Sequence, residues 1–218
     1  MPASIGILCA LPEELGHLRE HSRRTRTRAG LEIHELEIEG QPALACVGGI
    51  GKVMAARAAA LLCAEGAERA LLVVGTCGGL KASLGPGTLV HCTIAAQVDF
   101  AHRHLREVEA DEKLRCAWQK VLPGEQGWFL TADRPVLSFW RRLRLARAFA
   151  GPCVAEMETA AAAAVAVSAG VPWAALRAVT DRATPGGGAS FRLHLRAQAP
   201  RAADSIPALL AELGRGGS

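Results

Sequence analysis

Short apolar runs of β type that end in glycine, each followed by a helix-patterned stretch, constrain this chain more than any other feature. Ser4–Ala10 (SIGILCA) leads into Pro12-Glu13-Glu14, which opens a predicted helix to about Arg19. Proline suits the first helical turn and acids suit its positive end. Ala43–Val47 ends in Gly48-Gly49-Ile50-Gly51-Lys52 ahead of a predicted helix over Val53–Glu65, and Ala70–Val74 ends in Gly75-Thr76-Cys77-Gly78-Gly79. Thr88–Asp99 reads as one long strand or two, Trp128–Ala132 as a further strand and Trp173–Thr180 as the last. Leu31–Glu39 (LEIHELEIE) alternates as a half-exposed strand. Pro135–Phe149 has the pattern of a basic amphipathic helix, Met157–Ala169 of an Ala-rich one and Ile206–Leu213 of a terminal one. Arg23, Arg24, Arg26 and Arg28 read as a solvated loop, 101–127 as a weakly patterned excursion and Asp181–Ser190 as a Gly-rich loop. Strands alternating with helices predict an α/β fold, three-layer α/β/α, with a central mixed sheet covered on both faces. With 218 residues, half of them hydrophobic, one domain over 1–218 is expected.

Several function classes fall away early. A net charge of +4 is too mild to argue for nucleic acid, and 4% aromatics with no tyrosine argue against a platform for stacking bases. Seven cysteines scattered singly, with no CxxC pair, predict reduced core thiols of a cytoplasmic protein. The longest apolar run, Thr159–Val171, is too short to span a bilayer, so no membrane partner is expected, and no basic leader opens the chain. The Gly51-Lys52 step fails as a phosphate loop, because Val53 follows it and Cys46 stands where the first glycine is needed. His102 and His104 lack a partner at ligand spacing and read as a surface pair, so neither a metal nor a cofactor is expected.

The acids carry more information. Glu14 follows the first strand, Glu156 and Glu158 open a helix, and Asp181 follows the last strand. Carboxylates at strand ends, beside turns where glycine lets backbone approach a ligand, are where acid–base chemistry is arranged in open α/β sheets. Each taken alone also suits a helix start or a turn.

The ordered blocks Ile5–Leu15 (IGILCALPEEL), Gly48–Val53 (GGIGKV), Gly75–Leu80 (GTCGGL), Val154–Ala161 (VAEMETAA) and Leu176–Asp181 (LRAVTD) resemble the purine nucleoside phosphorylase/uridine phosphorylase superfamily. The match is closest to its hydrolytic branch, the 5′-methylthioadenosine/S-adenosylhomocysteine nucleosidases. The resemblance implies a nucleoside phosphorylase-like fold, a purine nucleoside as substrate, no cofactor, and a homodimer at least. It implies that Asp181 donates a proton to N7 of the leaving base, that Glu14, helped by Arg177, positions the attacking water, and that Glu158 binds the ribose hydroxyls with Met157 against the sugar. Thr76 and Gly78 would line the ribose side, and Phe191 would close over the base. Backbone near Thr131–Val136 would read the base edge, and Phe100 would serve as an aromatic wall. Ile50 and Glu156, from two of the same blocks, join the substrate-binding set. Phosphorolytic relatives carry arginines where this chain has Val73-Val74 and Leu11-Pro12, so hydrolysis is favoured over phosphorolysis. A non-catalytic nucleoside binder would have no need of a leaving-group acid such as Asp181.

Overall fold

The computed structural model describes residues 4–101, 107–184 and 186–215; His102 and His104 lie outside them. Its centre is β5 (Ala70–Gly79), buried along its whole length. Alternate residues of β5 feed two cores. Leu71 and Val73 join one cluster with Leu62, Ala58, Phe129 and Ala163, while Leu72 and Val74 join another with Ile7, Leu15, Trp118 and Ile206. A strand covered on both faces therefore reads as the continuous apolar run ALLVV. The first face is covered by α1 (Lys52–Ala64) and α4 (Thr159–Ser168), whose facing alanines favour helix and allow close approach. The second is covered by a 3-10 segment (Pro12–His21), α2 (Glu112–Val121), α6 (Pro200–Ala203) and α7 (Ile206–Arg215). The three layers and the mixed central sheet are as the alternation predicts.

The sheet also curls on itself. β5 runs parallel to β1 (Ile5–Cys9) and to β10 (Trp173–Asp181), and β10 lies antiparallel to β6 (Leu89–Gln97). From β6 the ladder passes to β8 (Glu125–Thr131), then β9 (Cys153–Glu156), and back to β5. These pairings close a ring of β5, β10, β6, β8 and β9, and β7 (Glu107–Glu109) pairs outside it with β6. The other wing runs from β1 to β4 (Gln41–Val47), β3 (Leu31–Ile38) and β2 (Ser22–Arg28).

Some expectations change. The arginine-rich stretch expected as a loop is β2, an edge strand paired with β3, with Arg26 held by Glu35 and Glu65. Charged side chains on an edge strand discourage further pairing, so this edge is blunted. The predicted helix at Pro135 begins at Phe139 instead: α3 (Phe139–Ala148) is capped by the Ser138 hydroxyl, which accepts from the Arg141 amide. Part of the Gly-rich loop is the start of α5 (Gly187–Gln198). All seven cysteines are free, but Cys116 is exposed on α2 rather than in the core. Among the described residues no helix is long and apolar enough to cross a membrane.

Candidate active site

Strand ends bring the acids together. A cavity of about 280 Å³ opens where β1, β5, β9 and β10 finish, lined among others by Glu14, Thr76, Glu158, Arg177 and Asp181. Ligand crevices lie at the carboxyl ends of strands in open α/β sheets, and this one follows that rule.

Glu14 is 1% exposed and accepts from four donors. Its Oε2 takes the amides of Ala10 (3.0 Å) and Leu11 (3.1 Å); its Oε1 takes the Thr76 amide and the Thr76 hydroxyl, both at 2.8 Å. Gly75 makes room for it. A Cβ there would lie 2.7–2.9 Å from the carboxylate atoms of Glu14, and its φ of +153° lies where side chains are strained.

The Arg177 guanidinium, 2% exposed, ties the next two acids together. Nη2 reaches Glu156 Oε2 at 3.0 Å and Glu158 Oε2 at 3.1 Å, Nη1 donates to the Thr76 carbonyl at 2.8 Å, and Nε to the Thr159 hydroxyl at 3.3 Å. Burial alone would weaken its charge, but Glu156, Glu158 and Glu14 outweigh that and hold its pKa above the ordinary value. Glu156 accepts from the Glu158 amide (2.9 Å), the Thr159 amide (2.7 Å) and the Thr131 hydroxyl. It binds the start of α4 together. Glu158 also accepts the Gly51 amide at 2.9 Å, so the GGIGKV turn is anchored on this carboxylate. Burial raises the pKa of Glu158, Arg177 opposes the rise, and Glu156 adds to it.

Asp181 lies across the cavity. Its Oδ1 accepts the Ala183 amide at 2.7 Å, and its Oδ2 lies 3.1 Å from the Thr180 hydroxyl, which also reaches the Cys77 carbonyl at 3.2 Å. Burial raises its pKa above the ordinary value, with the Ala183 and Thr180 contacts working the other way. A carboxyl held this way keeps its proton to higher pH than a free one, as a general acid must.

Most of the expected residues line the cavity: Glu14, Arg177, Glu158 and Asp181, with Thr76, Gly78, Glu156, Met157, Ile50, Val136 and Phe191. Two do not. The Thr131 side chain is buried, bonded to Glu156 and to the Ala160 amide, and Phe100 lies past the end of β6, 38% exposed. Arg177 bonds the carbonyl of Thr76 rather than Glu14 itself, so its hydrogen-bonded link to Glu14 runs through Thr76 while its charge acts on Glu14 without a direct bond. Sequence reasoning missed Thr180 and Ala183, which hold Asp181, and Leu137, Gly187 and Gly188 on the wall. The run Gly186-Gly187-Gly188 was the available signal: a Cβ on Gly187 would lie 3.1 Å from Asp181 Oδ1. Among the described residues no cluster of three or more His, Cys, Asp or Glu is disposed to hold a metal.

A ring-closed mixed sheet with buried acids converging at its strand ends defines a family, and the chain belongs to it. Residues 4–213 match the model of the phosphorylase superfamily. Among solved structures, the 5′-methylthioadenosine/S-adenosylhomocysteine nucleosidase of Neisseria meningitidis, in complex with methylthio-immucillin-A, superposes with a TM-score of 0.88 at 25% identity, over 95% of this chain and 98% of that one. The corresponding nucleosidase from S. pneumoniae gives 0.89 at 25% identity, over 96% and 99%. Futalosine hydrolase of Helicobacter pylori shares the fold, with a TM-score of 0.89 at 23% identity over 96% and 98%.

Proposed function

We propose that this chain is a purine nucleosidase that hydrolyses the N-glycosidic bond of an adenine nucleoside of the 5′-methylthioadenosine/S-adenosylhomocysteine type. The observation that carries this reading is the state of the sugar end of the cavity. A phosphorylase must offer free cations to phosphate. Here Arg177 is already engaged by two carboxylates, a carbonyl and a hydroxyl, while Glu14 presents a carboxylate that repels an anion and suits water.

In the proposed reaction Asp181 enters protonated and gives its proton to N7 as the C1′–N9 bond breaks, so adenine leaves neutral. Water adds to C1′ of the oxocarbenium-like sugar and passes its proton to Glu14. Of the four donors on Glu14, the Thr76 hydroxyl can rotate away and leave an acceptor site to the water. Exchange with solvent returns the proton from Glu14 and reloads Asp181. Glu158 would take the ribose hydroxyls, with Met157 against the sugar and Val136 and Phe191 against the base.

We further propose that the chain works as a single domain and as a homodimer in the cytoplasm. Sedimentation that finds only a 22.9 kDa particle would contradict the dimer. The deciding experiment for the chemistry is product analysis with 5′-methylthioadenosine in phosphate buffer. Free adenine with a free sugar is expected; a dominant sugar 1-phosphate would make the enzyme a phosphorylase, and ligand binding without turnover would make it a binding protein.

A further inference from the structure

Beside the cavity the chain exposes an apolar and cationic surface that the proposed chemistry does not use. Phe139 and Trp140, at the start of α3, are 49% and 75% exposed, and their rings meet edge to face with centroids 5.5 Å apart. Leu137, just ahead of them, is 48% exposed, while Leu145, on the opposite side of α3, is buried with Val136 and Leu130. Trp140, Arg144, Arg147 and Ala148 follow a helical repeat and are all exposed. Lys81 fastens the far end of α3 through the Ala146 and Phe149 carbonyls. The next wall is α5, whose first turn meets Leu137 at Gly187 and whose Leu193, between Arg192 and Arg196, is 77% exposed.

The charge on this surface is one-sided. Residues 134–149 contain Arg134, Arg141, Arg142, Arg144 and Arg147 and no acid, and α5 adds Arg192 and Arg196, again with no acid. Among the described residues none of these arginines pairs with a carboxylate, whereas three of the four arginines of β2, Arg23, Arg26 and Arg28, pair with Glu35, Glu37 and Glu65. The positive end of the α3 dipole points the same way, with no acid in its first turn.

We propose that this face docks the protein on an anionic lipid surface. The aromatic pair would sit at headgroup level and the arginines would bind lipid phosphates. Tryptophan and arginine side by side on one helix end suit that boundary, since one needs a half-wet apolar layer and the other an anion. A second copy of the chain is a poorer occupant, because a two-fold contact through this patch would face one acid-free cationic surface with another. Duplex nucleic acid would match the charge but leave Phe139 and Trp140 without an apolar layer to enter. Docking needs no spanning segment, so the shortness of the apolar runs does not oppose it. The cavity, which Leu137 and Phe191 also line, would then open beside the membrane.

The test is co-sedimentation of the full chain with vesicles of phosphatidylcholine alone and of phosphatidylcholine with phosphatidylglycerol. Binding to the anionic vesicles is expected to be at least about tenfold tighter and to weaken as salt is raised. Phe139→Ser with Trp140→Ser, and separately Arg144→Glu with Arg147→Glu, should each lower it by about tenfold or more, with circular dichroism confirming the fold. Equal binding to both vesicles, or no response to either pair of substitutions, overturns the proposal. So does loss of self-association in the Phe139/Trp140 variant, which would make the patch a subunit contact, or tighter binding to duplex DNA than to the vesicles at the same salt. No substrate enters the measurement, so its outcome is separate from that of the hydrolase assignment.

Discussion

Arg177→Met tests the centre of the site. The substitution keeps the apolar stem of the side chain but removes the cation between Glu156 and Glu158, which are 7% and 4% exposed. Breaking a buried ion pair by removing one partner costs about 3–5 kcal/mol, because the other charge is left buried and uncompensated. Here two carboxylates lose their counterion, and the Thr76 carbonyl and Thr159 hydroxyl lose a donor worth about 1 kcal/mol each. The loss should therefore reach at least the upper part of that range, against a total stability of roughly 5–15 kcal/mol for a domain. The loss should also depend on pH. Burial already raises the pKa of Glu158 and Arg177 opposes the rise, so removing Arg177 lifts it further. A carboxyl whose folded pKa exceeds its unfolded value stabilises the fold fully only below about pH 4, and that contribution is lost as pH rises through the folded pKa. The variant should thus be least stable at neutral and alkaline pH and recover on mild acidification. Urea unfolding followed by circular dichroism at about pH 5 and about pH 8 measures both effects, and Glu158→Gln in the Arg177→Met background should restore about 1–3 kcal/mol at the higher pH. A loss below about 1 kcal/mol, or one of equal size at both pH values, would refute the view of Arg177 as the counterion of two buried charges.

Four further outcomes are expected. Asp181→Asn keeps a hydrogen-bond donor but cannot deliver a proton, so kcat should fall by about 10²-fold or more while affinity for a non-cleavable purine nucleoside analogue stays within a few-fold. Glu158→Gln should instead weaken that affinity by about 1.5–3 kcal/mol, as measured by calorimetry, since the proposed charge-assisted bonds to the ribose would be made in the ground state too. In the proposed reaction Asp181 must be protonated, and burial raises its pKa, so kcat/KM should fall on the alkaline side at a higher pH than a free aspartic acid would give, and Asp181→Asn should lose that limb. Gly75→Ala should destabilise the fold by about 1–3 kcal/mol in urea titration and lower turnover as well, because the new methyl can be housed only by moving Glu14 off Thr76.

Much of this could be read from the sequence because the site is built at strand ends, where the local pattern changes abruptly from apolar residues to glycine and acid. Glu14, Glu158 and Asp181 each sit at such a break, and the glycine of the GTCGG turn is there because of the carboxylate lying against it. Roles were harder to read than positions. Glu156 and Glu158 stand two apart in one motif, yet three of the bonds of Glu156 come from the Glu158 and Thr159 amides and the Thr159 hydroxyl at the start of α4, while Glu158 joins the Gly51 turn to Arg177. Nothing local separates them; the difference comes from what β10 and the Gly51 turn bring to each. The arginines of β2 were missed for a related reason. Arg26 is ion-paired with Glu35 and Glu65, partners that only the folded hairpin and the end of α1 supply. The helix beginning at Gly187 opens on two glycines that propensity disfavours, so nothing in the local pattern marks its start.

Closure of the strand ring has a consequence for how the protein is made. β10 is the last strand in the chain, and it supplies both Arg177 and Asp181 while sealing β5 against β6. Glu14 can find Thr76 early, but the bond from Arg177 to Thr76 spans 101 residues and the one from Gly51 to Glu158 spans 107. During synthesis the open side of β5 must therefore wait, unpaired and apolar, until Trp173–Asp181 has left the ribosome. Contacts so distant in sequence slow folding and lengthen the interval in which a bare strand edge can meet another nascent chain. Truncation anywhere before Trp173 should leave an aggregation-prone fragment rather than a weakened enzyme, because the piece that completes the chemistry is also the piece that closes the wall.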